Sequence, residues 1–288
     1  MQQAMSIGIA FKNPGTYFEL ALKSVFAQTF DNWELILVDD GSSDDSLALA
    51  LALKDTRVRV YSDGINRGLS ARLNQIAELA QAPYCARMDA DDVMHPERIE
   101  KQYKVLCNSN GNSVAGTAAY SIDRRSQVVG AKPVPTKPLS GFGVRHSFVH
   151  PSIAAPTAWF RRNPYSTQSC YLRGEDAELW CRTKSNSEFV YLPERLLFYR
   201  EDSGLRFSNY TGTGIALLNI INTYFCKRTL PYLFLTAREL GKIFSYAMCM
   251  KLGLANILIS RRYLKIPDHE IQEGKRILDH IAAQGLPL

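Results

Sequence analysis

Two short acidic runs, Asp39-Asp40 and Asp89-Ala90-Asp91-Asp92, each close an apolar stretch of the chain, WELILV and YCARM. Carboxylates crowded together repel one another, and such crowding persists most easily around a cation. Oxygen-only ligands suit Mg2+ or Mn2+, and Mg2+ in particular is usually held by one or two carboxylates together with substrate phosphates. A single Asp-x-Asp is more often a solvated acidic turn, so the recurrence of acidic clusters carries the weight. A third pair, Glu175-Asp176, follows the turn Arg173-Gly174 and opens the helical run EDAELWCRTK. His146 and His150 have the i, i+4 spacing of a helical metal pair, but Pro151 and the surrounding SFVHPSIAAP do not read as helix. No thiol or HExxH pattern accompanies them, which argues against zinc.

The elements that must position these groups alternate between two periods. SIGIAF and WELILVDD read as buried strands, RVRVYSD as a half-exposed strand and YCARMDADD as a fourth. Helical patterns lie between them, over residues 16–28, after Ser42-Ser43-Asp44-Asp45, and over 69–80; a fourth opens at Pro96. This spacing predicts parallel βαβ units, whose ligands collect at the carboxyl ends of the strands. Both acidic runs sit at such ends, so two groups of carboxylates should face one crevice. Beyond residue 112 come short strands and turns rich in Gly and Pro, then Glu175's helix, and from Gly214 a helical stretch broken by Pro231 and Pro267.

The whole chain has 288 residues, 46% of them apolar and 22% charged, which excludes disorder and collagen-like repeats. Six cysteines form no CxxC pair, and residues 1–5 lead straight into a strand without a basic region or cleavage site. Free thiols in a reducing compartment are expected. No stretch is long and apolar enough to span a bilayer. The net charge of +6 is concentrated between residues 226 and 265, which hold eight basic residues and only Glu239 as acid.

In order along the chain, SVFAQTFDNWELILVDDGSSDDS, NRGLSARLNQIAELA, ARMDADDVMHPERIEKQ, HPS at His150, GEDAELWCRT and LLFYR form one series. The chain thereby resembles the family 2 glycosyltransferases over about its first 200 residues. The resemblance implies an α/β GT-A fold, Rossmann-like, with a mostly parallel central sheet flanked by helices and here a C-terminal helical region. It implies a catalytic domain over 1–205, with a nucleotide-sugar half at about 1–110 and an acceptor half at 111–205. Residues 206–288 would form the basic helical region. The implied activity is inverting, metal-dependent transfer of a sugar from a nucleotide diphosphate donor, with UDP the commonest nucleotide, to a saccharide hydroxyl.

Residue by residue, the resemblance sets Asp40 beside the base, Arg72 beside base or diphosphate, and Asp89 near the ribose or sugar. Asp91 would bind Mn2+ or Mg2+, Asp176 would be the catalytic base and Glu175 would hold the acceptor. A leaving diphosphate gathers negative charge that a divalent ion stabilises, and a poorly nucleophilic hydroxyl needs a carboxylate to take its proton. Two departures concern the site. Phe11-Lys12-Asn13-Pro14 replaces a Tyr-Asn found in many relatives. Asp202 stands where many have a histidine, so the third metal ligand is left between His150 and Asp202, with Arg200 and Arg206 as diphosphate contacts. Asp39 suits a helix cap, Asp92 a helix N-terminal charge and Trp180 the core.

The basic segment allows two readings, a helix lying on an anionic membrane and an ordinary helix packed on the domain. The resemblance favours the first, with a lipid-linked acceptor of surface polysaccharide or O-antigen synthesis at the cytoplasmic face of the bacterial inner membrane. No recognition motif supports nucleic acid. Rival classes are a degenerate nucleotide-binding scaffold and a nucleotidylyltransferase, whose Gly-rich, Arg-containing N-terminal loop is missing here.

Overall fold

The computed structural model describes residues 3–133, 148–201, 207–225, 227, 229–252 and 263–288. The expected βαβ units are present as β1 (Met5–Phe11), α1 (Tyr17–Phe26), β2 (Trp33–Asp39), α2 (Ser46–Ala52), β3 (Val58–Tyr61), α3 (Leu69–Leu79) and β4 (Tyr84–Asp89). Strand β2 is buried along its whole length because helices cover both of its faces. Alternation divides its side chains between two cores. Leu35 and Leu37 join Phe18, Leu22 and Val25 of α1, whereas Ile36 and Val38 join Leu73 and Ile76 of α3. Gly8 of β1 lets α3 approach, since a Cβ there would lie 2.2 Å from Ile76.

The sheet continues through β5 (Val93–Met94), β6 (Ser113–Ile122), β7 (Val128–Ala131), β8 (Ala154–Pro156) and β9 (Glu188–Arg200). Its nine strands run in the order β3-β2-β1-β4-β8-β6-β9-β5, with β7 beside β6. Pairing is parallel from β3 to β4 and again between β6 and β9, while β8 is antiparallel to both β4 and β6. Strands β6 and β9 therefore point the same way as β1, so six of the nine strands share the expected parallel direction while β5, β7 and β8 run against them. Along β9 the register with β6 shifts between Leu192 and Arg195, where Pro193 cannot donate to the ladder.

Helices α4 (Arg98–Cys107), α5 (Thr157–Arg162) and α6 (Glu175–Thr183) flank this half. Helix α4 starts two residues past the expected Pro96. Beyond β9 come α7 (Phe207–Tyr224), α8 (Leu230–Lys251) and α9 (Asp268–Ala282). The chain returns to the sheet at α9, where Leu278 and Ile281 join Val93, Tyr120, Ile122 and Phe198 in one core cluster.

Register fixes where the site lies. Ala10 of β1 is level with Val38 of β2 and with Asp89 of β4, so both acidic runs emerge at the same edge of the sheet.

Candidate active site

At the end of β2 the carboxylates are fully used by the protein. Asp39 is buried, accepting from the Ser42 backbone N–H (2.9 Å) and the Ser62 hydroxyl (2.7 Å). It ties a turn; it does not cap a helix through a side-chain bond. Asp40 is also buried and accepts from the N–H groups of Arg67 (2.6 Å) and Gly68 (3.1 Å) and from Arg72 Nε (2.9 Å). Asn66, its amide oriented to satisfy both neighbours, donates to Asp40 Oδ2 (2.8 Å) and accepts from Lys12 Nζ (2.6 Å).

Arg72 spends its side-chain donors within the protein. Its side chain is enclosed, and its five N–H donors meet Asp40, both oxygens of Asp63, Gln75 and the Ile65 carbonyl. Burial opposes its charge, but the bonds to Asp63 and Asp40 hold its pKa above the ordinary arginine value. Its visible work is to pin loop 63–68 to the end of β2, and Asp40 lines neither of the two cavities at this sheet edge.

Two adjoining cavities open at this sheet edge. The first, about 590 Å³, is lined among others by Lys12, Asn13, Tyr17, Asp89, Asp91 and Arg200. The second, about 620 Å³, is lined by Arg87, Asp89, His150, Arg173, Glu175 and Asp176 among others. Asp89 and Leu69 belong to both walls, so these are two lobes meeting at Asp89. Of the expected site residues, Asp89, Asp91 and Arg200 reach the first lobe, and Asp89, His150, Glu175 and Asp176 the second. Asp202 and Arg206, like His146, lie outside the described residues.

The first lobe takes its shape from local backbone chemistry. Asn13 adopts a left-handed φ of 50° and accepts from the N–H groups of Ser43 (2.6 Å) and Asp44 (3.3 Å), binding the loop after β1 to the loop after β2. Arg200, at the end of β9, lies over the Tyr17 ring (4.0 Å) and donates to the carbonyls of Asp91 and Asp123 (2.7 Å each) and to Ser126 Oγ (3.0 Å). Five donors against three acceptors leave it N–H groups for a ligand. Asp91 is exposed to the lobe, yet the protein crowded around it and the Asp89 charge push its carboxyl up to about 6. Asp92 is buried with one oxygen accepting from the Arg200 N–H (2.8 Å) and the other unpartnered. Burial, then Asp89 and Asp91, raise its pKa well above the ordinary range. It lies six residues ahead of α4, so it is a strand-end staple and not the helix N-terminal charge expected.

Among the described residues no group of three His, Cys, Asp or Glu side chains could hold a metal. The donors on offer are the oxygens of Asp91 and Asp89, mutually repelling beside an open lobe. That set fits a hard cation taking most of its ligands from a diphosphate. His150 lines the other lobe, where its Nε2 meets the Tyr165 hydroxyl at 2.9 Å. Burial, then the Arg87 charge, keeps it neutral.

The second lobe depends on the start of α6. Arg173 has φ 68°, and a Cβ on Gly174 would sit 3.0 Å from Ala216 of α7, so the turn is tight against that helix. It leaves Glu175 and Asp176 in the first helical turn, where the helix N-terminus favours negative charge. Burial, then the Asp176 charge, raises the Glu175 pKa. Trp180, one turn on, is fully buried and edge-on to Phe148 and Phe189, as core.

Sequence reasoning passed over Arg87. It lies two residues before Asp89 on β4 and hence on the same face, and it donates to Asp89. Its Nε and Nη1 are buried without a partner. Arg98 and Gln102 of α4, also passed over, hold this region from behind. Arg98 donates to the Arg87 carbonyl (2.7 Å), and Gln102 to those of Ala115 (2.7 Å) and Ser152 (2.8 Å).

Known proteins resemble this chain in sequence and in fold. WbnJ of Escherichia coli, an O-antigen biosynthesis glycosyltransferase, is 30% identical over 209 residues, 68% of this chain and 79% of that one. WfgD of Escherichia coli, a UDP-Glc:alpha-D-GlcNAc-diphosphoundecaprenol beta-1,3-glucosyltransferase, is 28% identical over 117 residues, 41% of this chain and 46% of its own. The fold matches the crystal structure of S. aureus TarS 1-349 in complex with UDP-GlcNAc at a TM-score of 0.59 and 15% identity, covering 85% of this chain and 73% of that one. The family model described as glycosyl transferase family 2 matches residues 6–167, the span that supplies both strand-end clusters and His150. By that match and by its 30% identity with WbnJ, the chain belongs to glycosyl transferase family 2.

Proposed function

We propose that this chain is an inverting hexosyltransferase that moves a sugar from a UDP-sugar donor to a hydroxyl of a lipid-linked saccharide in surface polysaccharide synthesis. The observation that carries this reading is the pair of lobes joined at Asp89, one suited to a diphosphate and the other holding a carboxylate pair. We read the first lobe as the donor side and the second as the acceptor side. All residues lining either lobe lie between Ala10 and Arg200, which supports a catalytic unit over 1–205. Lipid linkage and O-antigen or related synthesis are supported by similarity to WfgD and WbnJ.

Asp91, with Asp89 beside it, would hold Mg2+ or Mn2+, which when bound supplies positive charge to the leaving diphosphate. Arg200 supplies donors of its own there, and Lys12 lines the same wall. The Asp40–Arg72 pair acts indirectly, by fixing loop 63–68. Across Asp89, Asp176 takes the proton of the acceptor hydroxyl as the new bond forms, and Glu175, whose pKa burial raises, hydrogen-bonds the acceptor. Asp176 lines the lobe we read as the acceptor side, and a single base opposite the leaving group would give direct displacement with inversion. Arg87 orients Asp89 at the junction.

Purified protein incubated with UDP-Glc, UDP-Gal, UDP-GlcNAc and UDP-GalNAc should release UDP from one of them, and chelation should abolish the release. Asp176→Asn should lower turnover by about 10²–10⁴-fold while UDP affinity stays within about two-fold. Unchanged turnover would remove Asp176 from its role.

A further inference from the structure

The basic C-terminal segment is not used by the transfer chemistry, and the structure shows which way its long helix faces. Helix α8 buries Glu239 and Tyr246 and sets Ile243 against α7, where a Cβ on Gly214 would lie 2.6 Å from the isoleucine. The opposite side is apolar and open: Leu230 is 83% exposed, Phe234 67%, Phe244 69% and Leu252 63%, with Leu233, Leu240 and Met248 between them. These positions recur at helical spacing and form one stripe along the 22-residue helix, roughly 33 Å, and onto its C-cap Leu252. An ordinary surface helix turns such a stripe inward; here the apolar face points out.

Charge indicates what covers it. Arg238 and Lys242 flank the stripe, both bonded to Glu239 Oε1 (2.9 and 3.1 Å), and exposed Lys251 ends it. Residues 226–265 carry eight basic side chains and one acid. No helix among the described residues is long and apolar enough to cross a membrane. A helix with aromatic and leucine side chains outward and cations alongside has the chemistry of an element lying flat in a bilayer interface.

We infer that the outward face of α8 docks on the surface of an anionic lipid bilayer, with Phe234 and Phe244 inserted among the acyl chains. The inference goes beyond the transfer reading and does not depend on it, since vesicle binding needs neither donor nor acceptor. It has a consequence for the site nonetheless. Helix α8 packs on α7 and α7 on α6, so docking sets the turn bearing Glu175 and Asp176 two helices from the lipid.

The test is flotation of the full chain with vesicles of phosphatidylcholine alone or mixed with phosphatidylglycerol. Binding should be at least about ten-fold tighter to the mixed vesicles and should weaken as salt is raised. The double variant F234E/F244E should lose at least about ten-fold in that binding, with nucleotide-sugar hydrolysis in solution unchanged. The milder L230S/L233S variant, checked by circular dichroism, should show a smaller loss in the same direction and guards against misfolding of the first. Equal affinity for both vesicle types, no binding at all, or a dimer in solution that F234E/F244E disperses without vesicle binding would each overturn the inference.

Discussion

At the end of β2, Asp40 collects four hydrogen-bond donors, from Arg67, Gly68, Arg72 and Asn66. At the end of β4, separated from β2 only by β1, Asp91 opens to a lobe beside Asp89, and Asp92 keeps one buried oxygen without a partner. The same residue type at two equivalent strand ends thus meets opposite electrostatic conditions. A carboxylate whose lone pairs are all taken has become part of the scaffold. Carboxylates that repel one another and face a cavity hold interaction free energy that a ligand can relieve, and perturbed groups of this kind gather at functional sites. The contrast assigns support to the first cluster and chemistry to the second, and equivalent substitutions should separate them.

The largest stability effect should come from Asp40→Asn. It replaces a charge that accepts from a buried guanidinium and two backbone N–H groups, and its new NH2 faces donors. A loss of about 3 kcal/mol in urea denaturation is expected, with donor affinity reduced because loop 63–68 loosens. A loss below about 1 kcal/mol would mean that Asp63 and Gln75 hold Arg72 unaided, and the contrast would fail at its satisfied end.

Asp91→Asn should act with the opposite sign. In the metal-free protein the Asp91 carboxyl is raised from 3.8 to about 6. Between those values the folded state binds more protons than the unfolded one, so stability falls as pH rises through that window. Asparagine removes the dependence. Because Asp91 is exposed, solvent screening reduces the nominal value, and the variant should be more stable by about 0.5–1 kcal/mol above pH ~7, with no gain below pH ~4. Metal-dependent UDP binding should be lost in the same variant. Denaturation curves at the two pH extremes check the first point and titration calorimetry the second.

These assignments were unequally legible in the sequence. Strands β1 and β2 announce themselves as mostly apolar runs because they are buried on both faces, β3 shows itself by alternation, and the acidic clusters follow the ends of β2 and β4. The partners that Arg72 meets, Asp40 and Asp63, are not legible in the sequence, since they lie 32 and 9 residues away and only the fold brings them together. Arg87 was within reach: a period of two puts it on the same face of β4 as Asp89. Asp92 was misread because the sequence does not show that α4 starts only at Arg98. For α8, a helical projection separates Arg238 and Lys242 from Leu240 and Phe244, but it cannot say which side meets α7. Neighbouring apolar residues part company there: Ile243 faces α7 and Phe244 faces out. Tertiary packing decides orientation, and periodicity records only segregation.

The smallest expected effect sharpens the comparison most. Asp92 is buried like Asp40, but burial and the charges of Asp89 and Asp91 raise the pKa of its carboxyl well above the usual range, which favours the protonated form. Asparagine is nearly isosteric with that neutral acid and keeps an oxygen for the Arg200 N–H. Asp92→Asn should therefore change stability by less than about 0.5 kcal/mol at neutral pH, against about 3 kcal/mol for the same change at Asp40. Asp92→Ala, which strands the Arg200 N–H, should lose about 1–2 kcal/mol and displace a side chain of the first lobe. If both asparagine variants lose equal stability, Asp92 is ionised and satisfied in the fold, and the distinction between the two strand ends has no electrostatic basis.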